Sequence, residues 1–118
     1  MITFKRLDHI LITVPEGRRA EAQDFYGAVL GLTEIPGQHP KAAIWFRIGD
    51  VELHITEEAG NDPSDRHPAF EIVDLNDAKQ FLAEKNIDVQ YASEIPGRQR
   101  CFFRDPFGNR FELIEFNA

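Results

Sequence analysis

The sequence predicts an α+β fold built from two tandem βαβββ modules, and three observations carry that expectation. Short runs rich in β-branched and leucine residues are interrupted by two segments of helical period. The order strand, helix, strand, strand, strand reads twice along the 118 residues. The tetrapeptide Glu-Ile-Pro-Gly stands at Glu34–Gly37 and again at Glu94–Gly97, each time just after the strand that follows the helix. A repeated order at similar length is what tandem duplication leaves behind. We expect a single domain over 1–118, with modules at about 4–58 and 65–118.

In the first module, Leu7–Val14 (LDHILITV) reads as a strand that stops at Pro15. From Glu16 to Leu30 the period lengthens, and Ala22, Phe25, Tyr26, Val29 and Leu30 form one stripe of a helix. Gly31 suits its C-cap. Strands follow at Leu32–Ile35 and Ala42–Ile48, separated by Pro36-Gly37. Gly49-Asp50 then turns the chain tightly into Val51–Thr56.

The stretch Gly60–Ser64 (GNDPS) is a linker by composition. Beyond it, 67–73 reads as a strand, and Asp74 as the N-cap of a helix whose stripe is Leu75, Ala78 and Leu82. Strands are expected at Asp88–Ala92, Gln99–Arg104 and Arg110–Phe116. The loop Asp105-Pro106-Phe107-Gly108-Asn109 provides the last turn.

Strand alternation assigns side chains to faces. Across the Gly49-Asp50 turn, Ile48 faces Val51, Phe46 faces Leu53 and Ile44 faces Ile55, an apolar set suited to lie under a helix. The other face carries Trp45, Arg47, Glu52 and His54. His9 falls on the face opposite Ile10, Ile12 and Val14, and His67 on the face opposite Phe70 and Ile72. Phe111 and Leu113 match Leu53 and Ile55, so Glu112 matches His54. His9 and His67 hold equivalent places in the two first strands, and His54 and Glu112 in the two last ones. Three imidazoles and a carboxylate on one kind of face make a sound ligand set for a divalent transition metal. Zinc, nickel, manganese, cobalt and ferrous iron all remain open. Any one of these residues alone is more simply read as a surface or hydrogen-bonded side chain, and only their joint placement favours a metal. His39, in a polar loop beside Pro40, keeps the simpler reading.

Three stretches resemble a known family: Leu7-Asp8-His9-Ile10; Phe25-Tyr26 with Val29-Leu30-Gly31-Leu32; and Asp105–Asn109 followed by Phe111-Glu112-Leu113-Ile114-Glu115. Together they look like the vicinal oxygen chelate superfamily, the glyoxalase, bleomycin-resistance and dioxygenase group. The resemblance implies that the modules curve into a cupped mixed sheet with a metal in the cup. It places the ligands at His9, His54, His67 and Glu112. Glyoxalase I and methylmalonyl-CoA epimerase usually have Glu or Gln where this chain has His54. Small members of the group generally dimerise.

Trp45 and Arg47 are the candidate substrate contacts, with Arg47 suited to a carboxylate or phosphate and alternatively to a cross-strand pair with Glu52. Arg98 and Arg100 are expected on a solvated surface, Cys101 in the core, and Asp8 on the face away from the ligands. Phe107 sits in a turn, as a rim residue or simply an exposed one. Net charge is −7, with 13 Lys and Arg against 20 Asp and Glu, which disfavours nucleic acid and anionic membranes as partners. One cysteine cannot form an internal disulfide, and no apolar run has the length of a membrane span, so a cytoplasmic protein is expected, and the resemblance implies a homodimer with a small-molecule substrate. Three activities compete. The first is a metal-dependent lyase or isomerase with Glu112 as ligand and general base. The second is an Fe(II) dioxygenase using His9, His67 and Glu112, and the third a metal-free drug-binding protein.

Overall fold

The computed structural model describes residues 1–60 and 62–118. Asn61, within the expected linker, lies outside the described residues. The chain divides into two compact units, Met1–Asn61 and Asp62–Ala118.

Unit 1 consists of β1 (His9–Val14), α1 (Arg19–Asp24), β2 (Thr33–Ile35), β3 (Ile44–Ile48) and β4 (Val51–Glu57). Its sheet runs β1-β4-β3-β2, with β1 parallel to β4 and the other pairs antiparallel. The expected hairpin register is the observed one: Ile44 pairs with Ile55, Phe46 with Leu53 and Ile48 with Val51. Gly49 reaches φ +57°, the left-handed conformation that a two-residue hairpin turn demands. Val14, Ile44, Phe46, Leu53 and Ile55 are buried together with Ala22, Phe25 and Tyr26. Each large member of that set contributes about 1.5–3 kcal/mol by leaving water.

The first helix is shorter and less regular than its apolar stripe suggests. It starts at Arg19, and after Asp24 it widens into a π-helical turn over Phe25–Val29, where the Leu30 N–H donates to the Phe25 carbonyl at 2.8 Å. Widening keeps Phe25 and Tyr26 buried side by side, their rings 5.0 Å apart. Gly31 then ends the helix at φ +76°, while the Leu32 N–H donates to the Tyr26 carbonyl, one residue further back than in a Schellman cap because the preceding turn is π-helical.

Unit 2 consists of β5 (Ala69–Glu71), α2 (Leu75–Glu84), β6 (Arg98–Arg104) and β7 (Arg110–Phe116), with sheet order β5-β7-β6. Asp74 caps α2 as expected, accepting from the Asp77 N–H at 3.0 Å. Phe70 lies beside Leu113 as Ile12 lies beside Ile55 in unit 1, so the parallel register is repeated. The strand expected at Asp88–Ala92 is reduced to a single bridge, Gln90 with Phe102. The sheet is therefore three-stranded here, because only the Gln90 backbone pairs with β6 before the Glu94–Gly97 breaker leads the chain away. Cys101 is fully buried, in the core as expected, and Phe103 and Phe111 stack at 5.3 Å. Phe107, neither rim nor exposed, is buried as well. No helix among the described residues is long and apolar enough to cross a membrane.

The β6–β7 turn is organised by one carboxylate. Buried Asp105 accepts through Oδ1 from the Phe107 and Asn109 N–H groups, at 2.9 and 2.8 Å, and through Oδ2 from the Asn109 amide at 2.9 Å. Gly108 has φ +95°, and a Cβ there would lie 2.9 Å from Pro63 Cγ, so no larger residue fits. Asp105→Ala strands these donors and should destabilise unfolding equilibria by on the order of 2–4 kcal/mol. A urea titration with unchanged m-value and a midpoint indistinguishable from wild type would refute that account.

Candidate functional site

In unit 1 the polar face of the sheet is a column of flat rings. The register sets Leu11 and Trp45 on either side of His54. His9 stacks on His54 at 4.0 Å and 17°, His54 on Trp45 at 4.0 Å and 3°, and Trp45 on His39 at 3.9 Å and 10°. His39 thus joins the column from the loop, held by Nε2 donating to the Ile35 carbonyl at 2.9 Å. His54 is buried, and its Nε2 lies 2.9 Å from Glu52 Oε1. Arg47 stands opposite Glu52 in the ladder, yet the Glu52 carboxylate goes to His54 and Arg47 is exposed.

His9 is oriented by its neighbour in sequence. Its Nδ1 meets Asp8 Oδ2 at 2.9 Å, and this hydrogen bond holds the Asp8 carboxyl below its ordinary range. The expectation that Asp8 points to the opposite face fails because Asp8 precedes β1, where strand alternation no longer binds. A carboxylate only accepts, so Nδ1 carries the proton and the neutral ring presents Nε2 as a lone pair.

In unit 2, His67 and Glu112 meet directly, with Nε2 and Oε1 3.0 Å apart. His67 Nδ1 lies 2.7 Å from the Asp65 carbonyl, and this short contact, rather than the 3.4 Å one to the Arg110 guanidinium, sets the tautomer. Nδ1–H donates to the carbonyl, so in the neutral ring a lone pair on Nε2 faces a carboxylate oxygen. Two acceptors pointing at one spot require a cation there, either a second proton on the ring or a bound ion. Glu112 is buried, and its Oε2 lies 3.4 Å from the Arg100 guanidinium. Arg100 is therefore not the solvated residue expected: its side chain is 14% exposed and also donates to the Ser93 carbonyl at 2.7 Å. Phe102 supports the group. His67 meets it edge-on at 5.2 Å, and the Arg110 guanidinium lies 3.9 Å over its ring. Opposite Glu112 in the hairpin, Phe102 stands where Trp45 stands opposite His54.

The structure brings His9 to His54 within unit 1 and His67 to Glu112 within unit 2. Among the described residues, no group of three or more His, Cys, Asp or Glu side chains is placed to hold a metal ion. The donor chemistry nonetheless fits one. In both His9 and His67 an acceptor fixes the Nδ1 proton and leaves Nε2 to ligate, the arrangement that orients metal-bound histidines. His54 is turned the other way, with Nε2 given to Glu52 and Nδ1 left as its lone pair.

Five contributors escaped sequence reading: Asp8 and Glu52 as partners of the histidines, Arg100 beside Glu112, and Phe102 with Arg110 around His67. For the last three a signal existed. Alternation that sends Cys101 and Phe103 to the core sends Arg100 and Phe102 to the Glu112 face, and Arg110 shares that face with Glu112.

The comparisons with known proteins agree on kinship. The profile of the Glyoxalase/Bleomycin resistance protein/Dioxygenase superfamily matches residues 6–113. A protein of Bacillus anthracis assigned to the glyoxalase family is similar in structure, with 34% identity, 99% coverage of both chains and a TM-score of 0.88. A lactoylglutathione lyase from Agrobacterium tumefaciens shares the fold at 22% identity, with 93% of this chain and 92% of that one covered and a TM-score of 0.71. So does the fosfomycin resistance protein FosX from Listeria monocytogenes, at 19% identity, 98% and 94% coverage and a TM-score of 0.75. A comparison with curated proteins finds no match. With a family profile spanning most of its length and strands, helices and register of the same fold, the chain belongs to the glyoxalase/bleomycin resistance protein/dioxygenase superfamily, the vicinal oxygen chelate group.

Proposed function

We propose that the chain is a cytoplasmic, metal-dependent lyase or isomerase of the glyoxalase kind, acting on a small substrate through two neighbouring oxygens. The observation that carries this reading is the His67–Glu112 pair, Nε2 and a carboxylate oxygen 3.0 Å apart with Nδ1 engaged by the Asp65 carbonyl. Similarity to a lactoylglutathione lyase supports the same class of chemistry. His67 Nε2 and Glu112 Oε1 are the proposed ligands from unit 2, and His9 and His54 those from unit 1. A divalent ion held by such ligands would supply Lewis acidity to two adjacent substrate oxygens and ease loss of a neighbouring proton.

The rest falls to the chain's own groups. Asp8 and the Asp65 carbonyl hold the His9 and His67 rings in the ligating tautomer. Glu112 keeps Oε1 beside His67 and uses Oε2 to take the substrate proton. Arg100, 3.4 Å from that oxygen, positions it. Trp45, stacked between His54 and His39, offers its ring edge, and Arg47, exposed on the same strand, receives a carboxylate or phosphate on the substrate. A ligating histidine has no lone pair left to act as a base, which leaves the carboxylate for that role.

A second reading, a metal-free binding protein, draws on one observation: Arg100 gives the Glu112 carboxylate a cationic partner from the chain itself, at 3.4 Å. Metal content separates the two. Protein dialysed against a divalent metal should retain about one ion per site, and His67→Ala should lose most of it. Equal content in both, by plasma emission analysis, removes His67 from the site, and no uptake by either favours the binding protein.

Glu112→Gln tests the base. With metal restored to wild-type occupancy, its turnover should fall by on the order of 10²–10⁴. Substrates to screen are 2-oxoaldehyde–thiol adducts, acyl-CoA thioesters and catechols. Near wild-type turnover at full occupancy would leave Glu112 a ligand only.

The proposed active form is a symmetric homodimer, because Ile2, Phe4, Leu7 and Leu11 present apolar surface to solvent in the single chain. Sedimentation should return twice the chain mass at micromolar concentration, and a monomer there would exclude this assembly.

A further inference from the structure

Unit 2 contains a cavity of about 710 Å³ whose lining, Arg100 apart, takes no part in the chemistry proposed above. It opens where the chain leaves β6. After the single bridge at Gln90, segment 91–97 runs away from the β6 edge, and α2 closes the space with Leu75 and Lys79. Leu75, Ile95 and Pro96 give it apolar wall, and its volume lies within the range of small-molecule pockets, roughly 300–1,000 Å³.

Its charge runs against that of the whole chain. Lys79, Arg98 and Arg100 line it, with Glu94 as the one carboxylate, in a protein of net charge −7. Among the described residues neither Lys79 nor Arg98 has an ion-pair partner. Lys79 lies 4.9 Å over the Tyr91 ring, and the Arg98 guanidinium 4.7 Å over Phe116. The Nε atoms of Arg98 and Arg100 are buried with no hydrogen-bond partner. Buried donors are almost always paired, so these two neighbouring guanidinium groups are short of acceptors. An anionic group that presents two oxygens, a carboxylate or a phosphate, is the acceptor that guanidinium geometry matches best.

We infer that this cavity is a binding site for a small organic anion, a carboxylate or phosphate monoester with an apolar body. The anionic head takes the free donors of Arg98 and Arg100 with Lys79 nearby, and the body lies against Leu75, Ile95 and Pro96. Arg100 spans both this cavity and Glu112, so an occupant also bears on the carboxylate described above.

Calorimetric titration of the intact, metal-free chain tests the site with three probes of one shape: benzoate, phenyl phosphate and benzyl alcohol. At least one charged probe should bind, its affinity falling as salt rises, while benzyl alcohol binds at least tenfold more weakly. The preferred charged probe identifies the head group. Arg98→Gln and Lys79→Gln, each checked for a native circular dichroism spectrum, should weaken that probe at least tenfold. Amide shifts on titration into wild type should centre on Ser93, Gly97 and Gln99, which keeps the test decisive if a variant misfolds. Failure of both charged probes, equal binding of the alcohol, shifts centred elsewhere, or affinity unchanged in both folded variants would each overturn the assignment. None of these readouts depends on metal or turnover.

Discussion

In each unit a tight turn sets the pairing of a hairpin, and pairing decides the face of every side chain on both strands at once. A slip of one residue would send Phe46, Leu53 and Ile55 to solvent and bring Arg47 and Glu52 under the helix. Gly49 prevents this in unit 1 by adopting a conformation that suits a two-residue turn. In unit 2 Asp105 does the equivalent work for a longer loop by binding the backbone on its far side. The apolar faces follow from these registers, and the polar faces follow as their complement.

Complementarity explains why polar residues gather where they do, but several of their hydrogen bonds come from outside the alternating strands. Asp8 lies before β1, and Asp65 and Ser93 lie in irregular chain. Backbone carbonyls at such places accept without constraint from a ladder, so they can set a histidine tautomer or hold a guanidinium. His67 takes its tautomer from one such carbonyl and its direction toward Glu112 from β7 beside it.

The same scaffold carries different chemistry in its relatives, including a lactoylglutathione lyase and a fosfomycin resistance protein. Fold therefore narrows the chemistry without choosing it. In this chain the choice rests on side chains that the polar faces display: a ring column on one unit and a histidine–carboxylate pair flanked by two arginines on the other. Both arrangements place an aromatic ring opposite the last-strand ligand candidate, Trp45 before His54 and Phe102 before Glu112. That correspondence between units is clearer in the ladders than in the residue types.

From the sequence alone came the fold class, the family resemblance, the hairpin register of the first unit and the equivalence of His54 with Glu112. Period-two and helical patterns are local properties, and a duplicated order makes each half a check on the other. The sequence misplaced Asp8 and Arg100 and gave the Asp88–Ala92 stretch a strand it largely lacks. Alternation says nothing about a residue just outside a strand, an arginine's reach is longer than the spacing that locates it, and strand pairing needs a partner that β-propensity cannot supply. Only the folded structure decided which nitrogen of each histidine faces an acceptor, because Asp8, Glu52 and Asp65, though one or two residues away in sequence, turn toward their histidines through local geometry that period-two patterns do not specify.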